Sequence, residues 1–128
     1  MNNVILAETE FDVRACWPVV AQLRDHLDEA AFVRAVERQR AEGYRLAFIR
    51  EDDDVRAVAG FRIAHNLAWG RYLYIDDLVT DQAIRSKGLG GELFDWCVEF
   101  ARRQSCDQLH LDSGVQRFDA HRFYLQKR

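Results

Sequence analysis

The order of apolar periodicities along this chain predicts a mixed α/β fold, helices packed on a sheet. Three observations carry that expectation. Residues 44–80 contain three strand-like runs separated by turn residues, the pattern of an antiparallel meander. Helical spacing brackets the meander, over about residues 12–42 and again from Leu89 onward. Between the third run and the second helical segment stand Gly88, Gly90 and Gly91. Glycine loses more conformational entropy on folding than other residues, so such a cluster marks a sharp turn or a close backbone approach.

The 128 residues fit one domain spanning 1–128, with no repeat or Pro/Ser-rich linker to divide it. Apolar residues make up 48%, including eight Phe, four Tyr and three Trp, which supports a packed core and argues against disorder. A net charge of −3 and the lack of any Lys/Arg run speak against a nucleic-acid partner. No apolar stretch approaches the length of a membrane span, and MNNVILAETEFDV lacks the basic and apolar regions of a signal peptide. Cys16, Cys97 and Cys106 form an odd set without CxxC spacing. Reduced thiols in a cytoplasmic protein are expected, with neither a disulfide frame nor a metal site.

VILAETE (4–10) reads as a short first strand. The helical region that follows contains Pro18, which predicts a break or a fresh helix start near Trp17. Its second half places Ala31, Phe32, Ala35 and Val36 at helical spacing, and Gly43 closes it. YRLAFIR (44–50), Val55 to His65 and Arg71 to Thr80 are the meander strands, with EDDD (51–54) as a turn. A metal loop there would need a glycine and spaced ligands, which EDDD lacks. Leu89, Leu93, Trp96/Cys97 and Phe100 form one stripe of the next helix. LHLD (109–112) is a short strand in which His110 alternates with Leu109 and Leu111 and so points away from the core. FDAHRFYLQKR (118–128) opens a last helix.

A glycine-rich strand-to-helix turn aims backbone N–H groups and a helix N-terminus at one point, which suits a phosphate. Arg85 and Lys87 at its mouth add charge complementarity. It is not a P-loop, because Gly88 follows Lys87, nor a dinucleotide fingerprint, because Leu93 stands where a third glycine belongs. On composition alone, a phosphate cradle and a plain turn with a solvated basic rim stand level.

Arg85-x-x-Gly88-x-Gly90-Gly91 resembles the Arg/Gln-x-x-Gly-x-Gly/Ala loop of the GCN5-related N-acetyltransferase (GNAT) family. Leu78-Val79-Thr80 precedes it at the family's distance, and Ala120-His121-Arg122-Phe123-Tyr124 resembles the family's Ala-x-x-Phe-Tyr helix. Asp81 stands where the family often has proline, at a position expected to tolerate change. The resemblance implies an acyl-CoA N-acyltransferase fold and transfer of acetyl from acetyl-CoA, the cosubstrate, to a primary amine by direct attack in a ternary complex. The loop Arg85, Ser86, Lys87, Gly88, Leu89, Gly90 and Gly91 would wrap the CoA pyrophosphate, with a backbone N–H of Leu78 or Val79 holding the thioester carbonyl.

By the same resemblance Tyr124 would protonate the leaving thiolate, since a phenol keeps its proton at neutral pH. Asp76 would attract the amine or accept its proton, directly or through water. Strand alternation lets only one of Asp76 and Asp77 share a face with Tyr74 and Leu78, and Asp76 has that parity. Trp69 would line the acceptor entrance or pack under the sheet. In the family the Phe-Tyr helix is followed by two further strands, but this chain ends at Arg128, so a fold lacking the last two strands is expected. The sheet edge so exposed would be covered by a second copy in a homodimer. The acceptor could be a small molecule or a peptide amine. The alternative function is a non-catalytic acyl-CoA sensor or interaction domain that keeps the loop without turnover.

Overall fold

The structure, a computed structural model, describes residues 3–112 and 120–124, with backbone alone at 85, 86, 112 and 120–124. A six-stranded sheet in the order β1 to β6 forms its centre. The strands are β1 (Val4–Leu6), β2 (Tyr44–Glu51), β3 (Asp54–Asn66), β4 (Gly70–Thr80), β5 (Gln108–Asp112) and β6 (Ala120–Tyr124). All neighbours run antiparallel except β4 and β5, which are parallel and are joined through α3 (Leu89–Arg103). The two other helices, α1 (Glu10–Val20) and α2 (Glu29–Arg40), lie between β1 and β2 in sequence.

Alternation along β2 divides the core into two layers. Leu46 and Phe48 face Val13, Cys16, Val20, Phe32 and Val36 of α1 and α2. Ala47 and Ile49 face the other way, with Ala57, Ala59 and Phe61 of β3, against Leu93, Cys97 and Phe100 of α3. The small alanines let α3 lie close to the sheet, so the stripe expected on this helix is the stripe it buries. The hairpin between β2 and β3 closes on Asp52 and Asp53, both with positive φ (51° and 72°), the signature of a type I′ turn.

Three expectations need correction. Pro18 does not break the first helical region; it lies inside α1, two residues before its end. The interruption falls over residues 21–28, and α2 then starts on its own cap, the Asp28 carboxylate accepting from the Ala31 N–H at 2.8 Å. His110 is buried rather than outward-facing: its ring stacks on Trp69 at 3.4 Å and meets Gln108 Oε1 at 2.7 Å. Trp69 therefore packs on the sheet, at the end of β4 remote from Asp76. The predicted last helix is a strand over Ala120–Tyr124, where β6 pairs antiparallel with β5 and satisfies the edge that β5 would otherwise present. Residues 118, 119 and 125–128 of that segment lie outside the described residues.

Candidate active site

The strand β4 carries the site because its register changes along its length. It pairs with β5 over Tyr72–Ile75, so among the described residues its later positions have a strand partner on the β3 side alone. Their outward backbone N–H and C=O groups are left for another partner. Opposite β3 the register also shifts: Gly60 pairs with Asp77 and Phe61 with Ile75, so Asp76 is an extra residue, a β-bulge.

The bulge reverses the facing of everything after it. Ile75 packs in the α3 layer, whereas Val79, of the same parity, packs in the α1/α2 layer. Asp76 and Asp77 consequently both open into one cleft, contrary to the alternation expected from the sequence. This cleft, about 380 Å³, lies between the sheet and the α1–α2 connection and has an apolar floor that includes Leu27, Phe32 and Ala35. Its polar wall is ordered by paired charges. Arg24 Nε donates to Asp77 Oδ1 at 2.8 Å, and Arg24 Nη2 to the Asp76 carbonyl at 3.1 Å. Arg62 Nε donates to Asp76 Oδ2 at 2.9 Å, and the Tyr44 hydroxyl to Asp77 Oδ2 at 2.7 Å.

Burial, and after it the Asp77 carboxylate, pushes the Tyr44 phenol well above its ordinary value, so it remains a donor. Burial also pushes the Asp76 carboxyl up, against the pull of the Arg62 guanidinium. Tyr44 reaches Asp77 only because position 60 is glycine: a Cβ there would collide with the Tyr44 hydroxyl. Arg24, Tyr44 and Arg62 were not singled out from the sequence. Gly60, in the interior of β3, is the one local sign that a bulge or close backbone approach lies there.

A second cleft, also about 380 Å³, is lined by Leu78, Val79, Gly88, Gly90 and Gly91, five of the predicted cofactor residues. Gly88 adopts a left-handed conformation (φ 76°) and starts α3 without a side-chain cap. The first-turn N–H groups of a helix have no intrahelical acceptor, and here they adjoin the cleft. Gly90 packs on Thr80, whose Oγ1 would stand 2.9 Å from an added Cβ. Leu89 is buried in the α3 layer and can serve only through its backbone. Lys87 is exposed, 3.8 Å from Glu51. Arg85 and Ser86 lie in the 3₁₀ turn Gln82–Lys87, and their side chains lie outside the described residues. So does that of Tyr124, whose backbone sits opposite Gln108 and thus level with Tyr72, far down β4 from Leu78.

Asp81 is no passive turn residue. Its N–H donates to the Arg56 carbonyl at 2.8 Å, and its carboxylate accepts from Arg56 Nη1 (3.0 Å), Gln22 Nε2 (3.3 Å) and the Ala83 N–H (3.2 Å). Gln22 Oε1 in turn accepts the Gln82 N–H at 2.9 Å. The entry to the glycine loop is thereby tied to the α1–α2 connection and to β3, and the Ala83 N–H foremost among these donors holds the Asp81 carboxyl below its ordinary value.

The two clefts adjoin. Asp76 and Asp77 of the first are followed directly by Leu78 and Val79 of the second, and Val20 and Arg24 bracket Gln22 and Leu23 along their common rim. Among the described residues no group of three or more His, Cys, Asp or Glu could hold a metal ion, and no helix is long and apolar enough to cross a membrane.

Comparison with known proteins agrees with this arrangement. The model of the acetyltransferase (GNAT) family matches residues 8–128. An uncharacterized N-acetyltransferase of Bacillus subtilis, YhdJ, is 37% identical over 112 residues, 87% of this chain and 79% of that protein. The aminoalkylphosphonate N-acetyltransferase of Salmonella typhimurium is 36% identical over 53 residues, 41% of this chain and 34% of that one. Among solved structures, a GNAT family acetyltransferase of Staphylococcus aureus superposes with a TM-score of 0.79 at 17% identity, covering 92% of this chain and 90% of the other. The aminoglycoside N-acetyltransferase AAC(6')-Iy in complex with CoA gives 0.78 at 12% identity, over 91% and 79%. The family match over nearly the whole chain, together with a relative that shares more than a third of its residues, establishes that this chain is an acyltransferase of the GNAT family.

Proposed function

We propose that the chain transfers the acetyl group of acetyl-CoA to a primary amine by direct attack within a ternary complex. The observation that carries this reading is the junction of the two clefts on β4. Asp76 and Leu78 are two residues apart, about 7 Å along a strand, so an amine drawn to Asp76 stands beside a thioester held at Leu78 or Val79. The amine lone pair attacks the carbonyl carbon, the C–S bond breaks, and the sulfur leaves as thiolate and takes a proton. The amine's own proton passes to Asp76 or to water next to it.

The glycine loop suits the pyrophosphate of acetyl-CoA, with an uncapped helix N-terminus and a left-handed glycine at its start. The unpaired edge of β4 offers backbone groups to the amides of the pantetheine arm. An acetylated enzyme thiol is disfavoured. Cys16 and Cys97 are fully buried, with thiols pushed up to about 12 chiefly by that burial, and burial also raises the Cys106 thiol.

Titration calorimetry with acetyl-CoA, followed by amine-dependent release of the CoA thiol, tests the reading. Micromolar binding, about −8 kcal/mol, and thiol release that requires an amine are expected; bound acetyl-CoA with no amine-dependent release would overturn it. Tyr124 enters from the family resemblance alone. Tyr124→Phe with unchanged acetyl-CoA affinity and kcat lowered about a hundredfold would give it the leaving-group proton, and an unchanged kcat would pass that proton to water.

Asp81→Ala should raise KM for acetyl-CoA by about tenfold, since loosening the loop entry removes preorganisation for the pyrophosphate. The kcat at saturating cofactor should stay within about threefold. Equal losses in kcat and kcat/KM would place Asp81 in the chemical step instead.

A further inference from the structure

We propose that the acceptor is an amine carrying its own anionic group, a carboxylate, phosphate or phosphonate, a few bonds from the nitrogen. This rests on the transfer reading above and concerns the cleft at Asp76 and Asp77.

Arg24, Arg62, Asp76 and Asp77 sum to zero, and each carboxylate already pairs with one of the two guanidinium groups. Asp77 is held on one oxygen by Arg24 and on the other by Tyr44, and Asp76 is held by Arg62. A diamine or polyamine would add a second positive charge to a half-buried site beside two guanidinium groups whose carboxylates in the cleft wall are already paired. An amine with its own anion leaves the balance at zero.

Donor capacity points the same way. A guanidinium has five N–H donors in a planar fork. Arg24 spends Nε on Asp77 and Nη2 on the Asp76 carbonyl, and among the described residues Nη1 has no hydrogen-bond partner. Its side chain, 41% exposed, stands at the cleft mouth on the segment between α1 and α2. Arg62 spends Nε on Asp76 and Nη2 on Gln39, and its Nη1 lies 3.9 Å from Glu42. The Arg62 guanidinium is further fixed over the Tyr44 ring at 5.5 Å. Two oriented cations with donors to spare form a preorganised receptor for an oxyanion. The polarity of the cleft is then set: the amine lies by Asp76, next to Leu78, and the anionic group by Arg24. The apolar floor of Leu27, Phe32 and Ala35 receives the short carbon skeleton between them. A volume of about 380 Å³ accommodates a small molecule of this kind.

Matched pairs provide the test, on the full chain with saturating acetyl-CoA: short amino acids against their amides, aminoalkylphosphonates and aminoalkyl phosphates against the corresponding amino alcohols, and an α,ω-diamine series. Binding to the CoA-bound chain is followed by calorimetry beside the rate. The anionic member of each pair should have kcat/KM at least about tenfold higher, the range of a charge-assisted hydrogen bond. Arg24→Gln should bring that ratio within about twofold by lowering the anionic member alone, and Arg24→Lys should restore part of it. Carboxylate and phosphorus acids ranked against one another distinguish the two sources of the anion. Amides, alcohols or diamines used as well as the anionic amines, or Arg24→Gln lowering both members equally, would overturn the proposal. So would the absence of binding by every anionic amine to a chain that binds CoA. Failure to bind acetyl-CoA at all would strike the transfer reading itself and take this proposal with it.

Discussion

Gly60→Ala is expected to destabilise the protein by about 2–4 kcal/mol, a fall of roughly 10 °C in melting temperature. It should also lower kcat/KM for the amine at least tenfold while leaving acetyl-CoA affinity within about threefold. At an unobstructed strand position with negative φ the same change would stabilise, because alanine loses less chain entropy than glycine. Here the added methyl would occupy the place of the Tyr44 hydroxyl and crowd the Asp77 carboxylate. Tyr44 is buried, so its ring has little room to retreat. Moving it breaks the hydrogen bond to Asp77 and disturbs the surface on which Arg62 rests. A double-mutant cycle separates this from a general loss of packing. With Tyr44→Phe the closest clashing atom is gone, so the double variant should be less destabilised than the sum of the single changes by about 1 kcal/mol or more. Strict additivity, or unchanged amine kinetics in Gly60→Ala, would show that the Tyr44–Asp77 contact does not shape the acceptor cleft.

How far the sequence discloses such a site depends on the range of the interactions that build it. The α3 stripe, the meander and the Asp52-Asp53 turn are written in neighbouring residues, and each forms as the periodicity predicts. The glycine loop is equally local, and Leu78, Val79, Gly88, Gly90 and Gly91 do line one cleft. The facing of Asp76 and Asp77 is a different matter. Counting by twos along β4 assumes an unbroken ladder, but the bulge is a property of two strands in register. Arg24–Asp77 and Arg62–Asp76 join residues 53 and 14 positions apart, so no periodicity signals them. The last segment shows a conflict between local spacing and pairing. Its helical spacing is real, yet over Ala120–Tyr124 the backbone groups are satisfied by the edge of β5. Pro18 is the milder case: it removes one intrahelical donor, the one that would reach the Arg14 carbonyl, and α1 ends two residues later.

In the glycine loop, stability and cofactor affinity should move in opposite directions. Gly88→Val should raise the dissociation constant for acetyl-CoA by about a hundredfold and destabilise the fold by only about 1–3 kcal/mol. Nothing lies within 4 Å of the position a Cβ would take at Gly88, so crowding is not the obstacle. The obstacle is φ at 76°, where a β-branched residue is strained and would turn the start of α3 away from the cleft. Gly91→Ala is the sharper case. Gly91 lies in the first turn of α3 without a positive φ, and its Cβ would touch no protein atom. Alanine there should gain up to about 1 kcal/mol of helix stability, so the fold offers no reason for glycine. The open space it keeps faces the cleft lined by Leu78 and Val79. If that space belongs to the pyrophosphate, Gly91→Ala should melt at a higher temperature and bind acetyl-CoA about tenfold more weakly. Thermal denaturation and calorimetry on the same preparation read both quantities. A variant that gains stability and keeps full affinity would show that the pyrophosphate does not lie against this turn of α3.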